Sequence, residues 1–323
     1  MKLYIINRIL QLIPLLFGIT LISFFIMHLA PGDPTQLFIN PNVSPEELIR
    51  IRSNWGLDQP IFIQYFYWLK NAICGNFGVA YIINRPVMDV ILEKLPATLL
   101  LTGTVFILEL LIAIPLGVIS AVKKNSWFDN FVTIFTFAGM AIPSFWVALI
   151  LILVFSLKLG WFPAGGMLDP LANDTNFISY LINISKHLTL PVISMVVVGL
   201  AGLTRYQRAS MLEIIKEDFI RTARAKGMPE SVVIFKHALR NAVIPIVTLL
   251  GLSLPDLFSG AFIAETIFAW PGMGRLGVYA VFSRNYPLIM GIVVISSVLI
   301  VLGNLFADIG YSLVDPRIRY GKK

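Results

Sequence analysis

Cysteine is almost missing from this chain. Cys74 is the single one in 323 residues, which excludes an internal disulfide and any cysteine-based metal cluster. Histidine is equally scarce: His28, His187 and His237 are scattered, and no metal site is visible among them. Charge is thin as well, with 13% of residues charged against 57% hydrophobic, and the mean hydropathy of +0.81 is too high for an ordinary soluble domain. The chain belongs in a bilayer. No G-x-x-x-x-G-K-[ST] phosphate loop occurs, so any nucleotide that drives it is held by another subunit. The G-x-S-x-G elbow and H-E-x-x-H are absent too, and Cys74 has no histidine nearby, which argues against an intramembrane enzyme. The formal charge of +7 is not a sign of nucleic acid, because a positive excess in a membrane protein belongs to its cytoplasmic loops.

What the chain has instead is long apolar runs, at 9–29, 96–122, 130–157, 187–204, 242–268 and 287–313, each of roughly the length that crosses a bilayer. They predict an all-α polytopic membrane protein of six transmembrane helices. Pro115, Pro143, Pro191, Pro245 and Pro255 fall inside them, which spanning helices tolerate when neighbours satisfy the freed carbonyls. The first run follows Lys2 and Arg8 and is longer than a signal-peptide core, and His28 stands where a cleavage site would want a small residue, so it reads as an uncleaved span. Six spans put both termini on one side. Sixteen of the 25 Lys and Arg residues lie in the N-terminus, the Lys123–Lys124 loop, the 205–241 segment and the tail, which makes that side cytoplasmic. The division expected is a first span plus extracytoplasmic loop (1–95), a five-helix core (96–313) and a cytoplasmic tail (314–323).

The extracytoplasmic loop carries Ser44-Pro45-Glu46-Glu47, a capping-box start for a helix ending near Gly56, and a second short helix after Pro60. Phe62, Tyr65, Phe66, Tyr67 and Trp68 make that second helix either an interfacial aromatic segment or part of a small core of the loop's own.

Residues 205–241 form a basic island between apolar runs. The composition predicts a helix with Glu217 and Arg221 paired at i,i+4, a stop at Gly227, and a second helix from Pro229 whose Val232, Phe235, Leu239 and Val243 recur at helical spacing. Within the spans the ionisable and amide groups are few, and a charge at the bilayer centre costs about 2.5–3.5 kcal/mol. Glu109 shares a helix face with Thr98, Thr102, Ala113, Gly117 and Ser120, a stripe of small and hydroxyl residues that turns it into the bundle. Its commoner role would be a hydrogen bond to a neighbouring helix; the functional one is a polar contact along a transport path. Asp256, Glu265, Asn304 and Asp308 stand under the same two readings. His237 reads as a loop or interface residue rather than a ligand, and His28 as an interfacial cap.

The stretch EDFIRTARAKGMPESVVIFKHALRNAVIP (217–245) resembles the cytoplasmic signature loop of binding-protein-dependent ABC importer permeases, in the dipeptide, oligopeptide, nickel and glutathione branch. LAPGDP (29–34), GLDQP (56–60), GNFG (75–78), IPLGVISA (114–121), ETIFAWPGMGRL (265–276), NYP (285–287) and DPRIRY (315–320) extend the resemblance over nearly the whole chain, and the long first loop resembles the first of the branch's two permeases. The general signature reads Glu-Ala-Ala, three residues, Gly. Aligned on Gly227, Ala223 fits the second alanine, Arg221 and Thr222 replace the leading pair, and Glu217 and Asp218 are the nearby acids.

The resemblance implies a type I importer permease fold and a partnership: a second homologous permease, two ABC ATPase subunits that hold ATP and Mg, and an extracytoplasmic substrate-binding protein, with no cofactor on this chain. It implies that Glu217, Asp218, Arg221, Thr222, Ala223, Arg224, Ala225, Lys226, Gly227, His237, Arg240 and Asn241 form the ATPase-coupling loop. Two other classes compete. A self-contained transporter or channel would need a coupling-ion site or a polar pore ring, and only isolated acids are present. A membrane-tethered helix-turn-helix DNA binder would carry its domain at a terminus, whereas the island is pinned between spans.

Overall fold

The computed structural model describes residues 2–29, 45–54, 56–171 and 176–314. The APGDP stretch, Ser44 with its expected cap, and the tail with DPRIRY lie outside the described residues. Helix α1 (Lys2–Leu29) carries Lys2, Asn7, Arg8 and Gln11 in its first turns and is predominantly apolar beyond them, as a span should be, and it buries Phe24 and Met27 near its end. Two short helices follow, α2 (Pro45–Asn54) and α3 (Ile61–Ile73), then a two-residue hairpin of β1 (Val79–Ala80) and β2 (Arg85–Pro86).

Of the two readings of the aromatic helix, α3 takes part of each. Tyr65 is 2% exposed in a cluster with Phe24, Met27 and Met290, so the core it enters is shared with spanning helices, while Phe62, Phe66 and Tyr67 stay exposed. Thr20 and Tyr65 hydroxyls meet at 3.0 Å, and His28 Nε2 meets Gln64 Oε1 at 3.2 Å. His28 is thus a tie between α1 and α3.

The middle of the molecule is the pair α4 (Val87–Val122) and α7 (Phe177–Ile214), of 36 and 38 residues. At 1.5 Å per residue each is more than ~50 Å long, well beyond the ~30 Å hydrocarbon thickness. The apolar runs 96–122 and 187–204 are therefore only the middle parts of these helices. The small-residue stripe foreseen on α4 faces the bundle: a Cβ on Gly117 would lie 2.6 Å from Gln207 Cβ of α7, and Thr98, Thr102, Ala113 and Ser120 are all buried.

Two expected spans are not single helices. The run 130–157 is α5 (Trp127–Ala141) and α6 (Ser144–Leu151), the latter prolonged by a π-helical turn Ile152–Lys158, and the two arms bend by 102°. Pro143 causes the break, because the residue before a proline is driven out of the helical region and Ile142 sits at φ −90, ψ 126. The run 242–268 is broken and shifted. Helical structure starts at Glu230 and continues to Phe258 as the apolar stretch long enough to cross, through α9 (Glu230–Val232), a π-helical turn Val233–Ala238, α10 (Leu239–Ala242), α11 (Ile244–Ser253) and α12 (Asp256–Ser259). At Gly260, φ +86, the chain turns away into α13 (Phe262–Ile267) and α14 (Met273–Phe282). The last span is α15 (Tyr286–Val314). Among the described residues, five helices are long and apolar enough to cross, and the bent pair makes a sixth. The fold is all-α and polytopic.

Candidate coupling surface and intramembrane cavity

The basic island is not a free-standing pair of helices. Its first ten residues continue α7 out of the apolar zone and its last twelve begin the next span, so that only 215–229 connects them. That connection holds α8 (Asp218–Ala225). The chain breaks before α8, which removes the expected Glu217–Arg221 pair: Glu217 is the N-cap residue, and Arg221 Nη1 reaches Asp218 at 3.2 Å instead.

The end of α8 is a Schellman cap. The Met228 N–H donates to Ala223 O at 3.4 Å and the Gly227 N–H to Arg224 O at 2.9 Å, with Gly227 at φ +71. Across the turn Arg224 makes a two-pronged ion pair with Glu230, at 2.7 and 3.1 Å, a bond that raises the guanidinium further above its ordinary range.

What holds this elbow rigid lies beneath it. Ile220 and Ala223 of α8 and Val233, Ile234 and Ala238 beyond the turn are buried with Val118 and Ala121 of α4 and Met211 of α7. Displacing α8 therefore means displacing the ends of the two central helices. The π-helical turn adds one residue to the repeat and rotates the inward face to Val233, Ile234 and Ala238. Phe235, expected inside on simple 3.6-residue spacing, is 62% exposed. Phe219 is accessible too, at 43%.

Of the residues expected to couple, Glu217, Asp218, Arg221, Thr222, Arg224, Ala225, Lys226, Gly227, Arg240 and Asn241 form the outer face, His237 is half-buried, and Ala223 points into the core. Two residues at this end escaped the reading of the sequence. Asp129, 2% exposed, receives Arg208 Nε at 2.7 Å and Nη2 at 2.8 Å, the Asn125 N–H at 2.9 Å and the Ser120 hydroxyl. One carboxylate thus joins α4, α5 and α7. Both partners lie at the polar ends of apolar runs, 79 residues apart, and local periodicity carries no sign of such a pair.

Within the apolar zone the acids differ sharply. Glu265 is fully buried and accepts from the Thr98 hydroxyl (2.8 Å), the Arg275 N–H (2.9 Å) and the Ala261 N–H (3.2 Å). Thr98 in turn accepts the Met273 N–H at 2.7 Å, and Trp270 Nε1 donates to Ala97 O at 2.8 Å. This web explains the glycines of ETIFAWPGMGRL: a Cβ on Gly272 would lie 2.4 Å from Glu265 Oε2, and one on Gly274 2.6 Å from the Phe262 backbone. For Glu265 the structural reading holds.

Glu109 differs. It has no hydrogen-bond or ion-pair partner among the described residues, so the helix-to-helix bond expected as its commoner role is not made. Its carboxyl lies against bare backbone, since a Cβ on Gly199 would sit 1.7 Å from Oε1, and it lines a cavity of about 330 Å³ with Ser144, Ala148, Gly260 and Ala261. Asp256 is exposed at the start of α12 and Asn304 is half-buried on α15; the side chain of Asp308 lies outside those described. These acids and amides are not gathered into one site.

Comparison with known proteins gives this architecture a family. Residues 113–320 match the model described as binding-protein-dependent transport system inner membrane component, and residues 1–102 match the model for the N-terminal part of such membrane components. The chain is 47% identical to the oligopeptide transport system permease protein AppB of Bacillus subtilis (strain 168) over 321 residues, covering 99% of this chain and 100% of that protein. It is 39% identical to the dipeptide transport system permease protein DppB of Alkalihalophilus pseudofirmus, with coverage of 98% and 99%, and 37% identical to the glutathione transport system permease protein GsiC of Escherichia coli (strain K12), with the same coverage. In fold it resembles a chain of the MetNI methionine ABC transporter in an inward-facing conformation, at a TM-score of 0.56 and 18% identity over 71% of this chain and 97% of that one. The chain belongs to the family of binding-protein-dependent ABC importer permeases.

Proposed function

We propose that this permease is the first of two homologous membrane subunits of an ATP-driven importer of peptides or a similar small solute in the cytoplasmic membrane, with both termini and the 215–229 connection on the cytoplasmic side. Two ATPase subunits dock there and hold the ATP and Mg; a binding protein delivers the cargo from the other side. Its similarity to permeases of oligopeptide, dipeptide and glutathione transport systems supports that cargo class.

The observation that carries the reading is the elbow about Gly227. A charged and aromatic outer face stands on an inner face packed against α4 and α7, so a push on α8 is delivered to the helices at the centre of the membrane domain. A partner that grips the elbow differently in its two states biases the spans between two arrangements by that difference in contact free energy. The test is uptake of a labelled dipeptide into vesicles carrying the assembled importer, with ATP hydrolysis measured alongside. Hydrolysis tied to uptake in the wild type and freed from it on disruption of the elbow is the expected result; unaltered uptake would falsify the coupling role.

A further inference from the structure

We propose that the Glu109 cavity binds the primary ammonium group of a peptide in transit, an inference that rests on the reading of this chain as a peptide permease. Four observations converge on it. Among the described residues Glu109 is the one ionisable side chain that lines the cavity, and its carboxyl has no partner there. Glu265, by contrast, sits a short way along the same core with three donors on its oxygens. The carboxyl has a prepared seat: Gly199 leaves out the side chain that would collide with Oε1 at 1.7 Å.

The cavity also lies where two chain breaks meet. Ser144 opens α6 directly after the bend at Pro143, and Gly260 and Ala261 are the turn between α12 and α13. Interrupted helices inside a membrane are where transporters build substrate sites, because the irregular backbone needs a polar or ligand-filled space beside it. About 330 Å³ is enough for the end of a small peptide, at the low end of ligand pockets. Apart from Ser144 and Ser194, whose hydroxyl donates to Pro191 O, the remaining side chains are apolar, Met195, Val198 and Phe262 among them, and no cationic side chain among the described residues lines the cavity. A carboxylate in such walls selects a cation with N–H donors; an ammonium makes a short charge-assisted bond to it, with the Ser144 hydroxyl on the same wall as a further acceptor.

Carbodiimide labelling of Glu109 in the wild-type importer, reconstituted in phosphatidylcholine vesicles without the binding protein, tests this. At high concentration, alanyl-phenylalanine with a free amine slows labelling about tenfold, as one charge-assisted hydrogen bond would, and its N-acetyl derivative leaves the rate unchanged. Equal protection by both peptides, or protection by neither, overturns the proposal. Protection by phosphatidylethanolamine vesicles alone, as strong as by peptide, assigns the ammonium to a lipid headgroup and overturns it as well. In the complete importer, Glu109→Gln lowers the maximal uptake rate of the free-amine peptide about tenfold and Glu109→Asp recovers part of it, while wild-type uptake for Glu109→Gln overturns the site. Uptake by the wild type without protection of Glu109 counts against this cavity alone, whereas no peptide uptake at all counts against the functional reading beneath it.

Discussion

Thr98 and Glu265 lie 167 residues apart in sequence, and the hydroxyl of one donates to the carboxylate of the other at 2.8 Å in a fully buried setting. The same hydroxyl accepts the Met273 N–H, so a single threonine links α4, α13 and α14. Thr98→Val keeps the shape and removes both bonds. The variant should lose about 1–3 kcal/mol, the cost of buried polar groups left unpaired, whereas Thr98→Ser should stay within about 1 kcal/mol of wild type. Thermal unfolding of the purified protein in detergent measures the difference.

The three glycines that follow Pro271 are not equivalent. A Cβ on Gly272 meets Glu265 and Thr98, and one on Gly274 meets Phe262 backbone that cannot move aside, while one on Gly277 meets nothing within 4 Å. Gly274→Ala should cost about 1–3 kcal/mol by overpacking and yield aggregated protein in size-exclusion chromatography. Gly277→Ala should elute as wild type.

Gly227 is constrained by its backbone and not by its neighbours, since nothing lies within 4 Å of the missing Cβ and φ is +71. Alanine and leucine there both pay about 1–2 kcal/mol for the left-handed conformation, and asparagine less. All three should insert normally. Gly227→Leu should release ATP hydrolysis from uptake, since its side chain adds bulk to the face proposed to dock; transport that stays coupled in this variant would sink the docking role.

Two ion pairs near the elbow should behave differently. Asp129 is buried and takes four donors, so Asp129→Ala leaves Arg208 unpaired at the α4–α5–α7 junction and should lower stability by about 1–3 kcal/mol. Glu230 pairs with Arg224 in the open, both well exposed, and Glu230→Ala should change stability by less than about 1 kcal/mol. Urea or thermal unfolding of the two variants side by side checks the ordering.

Phe235 contributes little to the fold at 62% exposure, so Phe235→Ala should leave the isolated permease within about 0.5 kcal/mol of wild type. If the outer face meets an ATPase, the same change should reduce co-purification of the ATPase subunits. Undiminished co-purification would place Phe235 outside the interface.

The membrane class, the existence of the spans and the turn at Gly227 were legible because each rests on local chemistry: apolar length, small-residue stripes, and a glycine just past a helix followed by proline. The stripe on α4 was read correctly for this reason, since i,i+3 and i,i+4 spacing alone decides which residues share a face. The same rule misplaced Phe235, because a π-helical turn adds a residue to the repeat and nothing in the sequence announces it. Pro143 and Pro255 were visible as prolines inside apolar runs, yet whether a proline is absorbed, as Pro96 is in α4, or breaks the chain depends on which neighbour takes the freed carbonyl.

The acids show the same division. In sequence Glu109 and Glu265 are alike, single carboxylates in apolar runs, and local pattern alone establishes only that each is costly to bury and must face inward. Which of them is satisfied was decided by segments far apart in the chain: Thr98 and the backbone after Trp270 come to Glu265, while Glu109 meets the bare backbone of Gly199 and a cavity. The amino-acid sequence by itself determined a polytopic helical protein with one basic elbow between its spans. Only the tertiary structure decided what the elbow rests on and which inward-facing carboxyl remains open, because hydrogen bonds and packing between distant helices leave no trace in local periodicity.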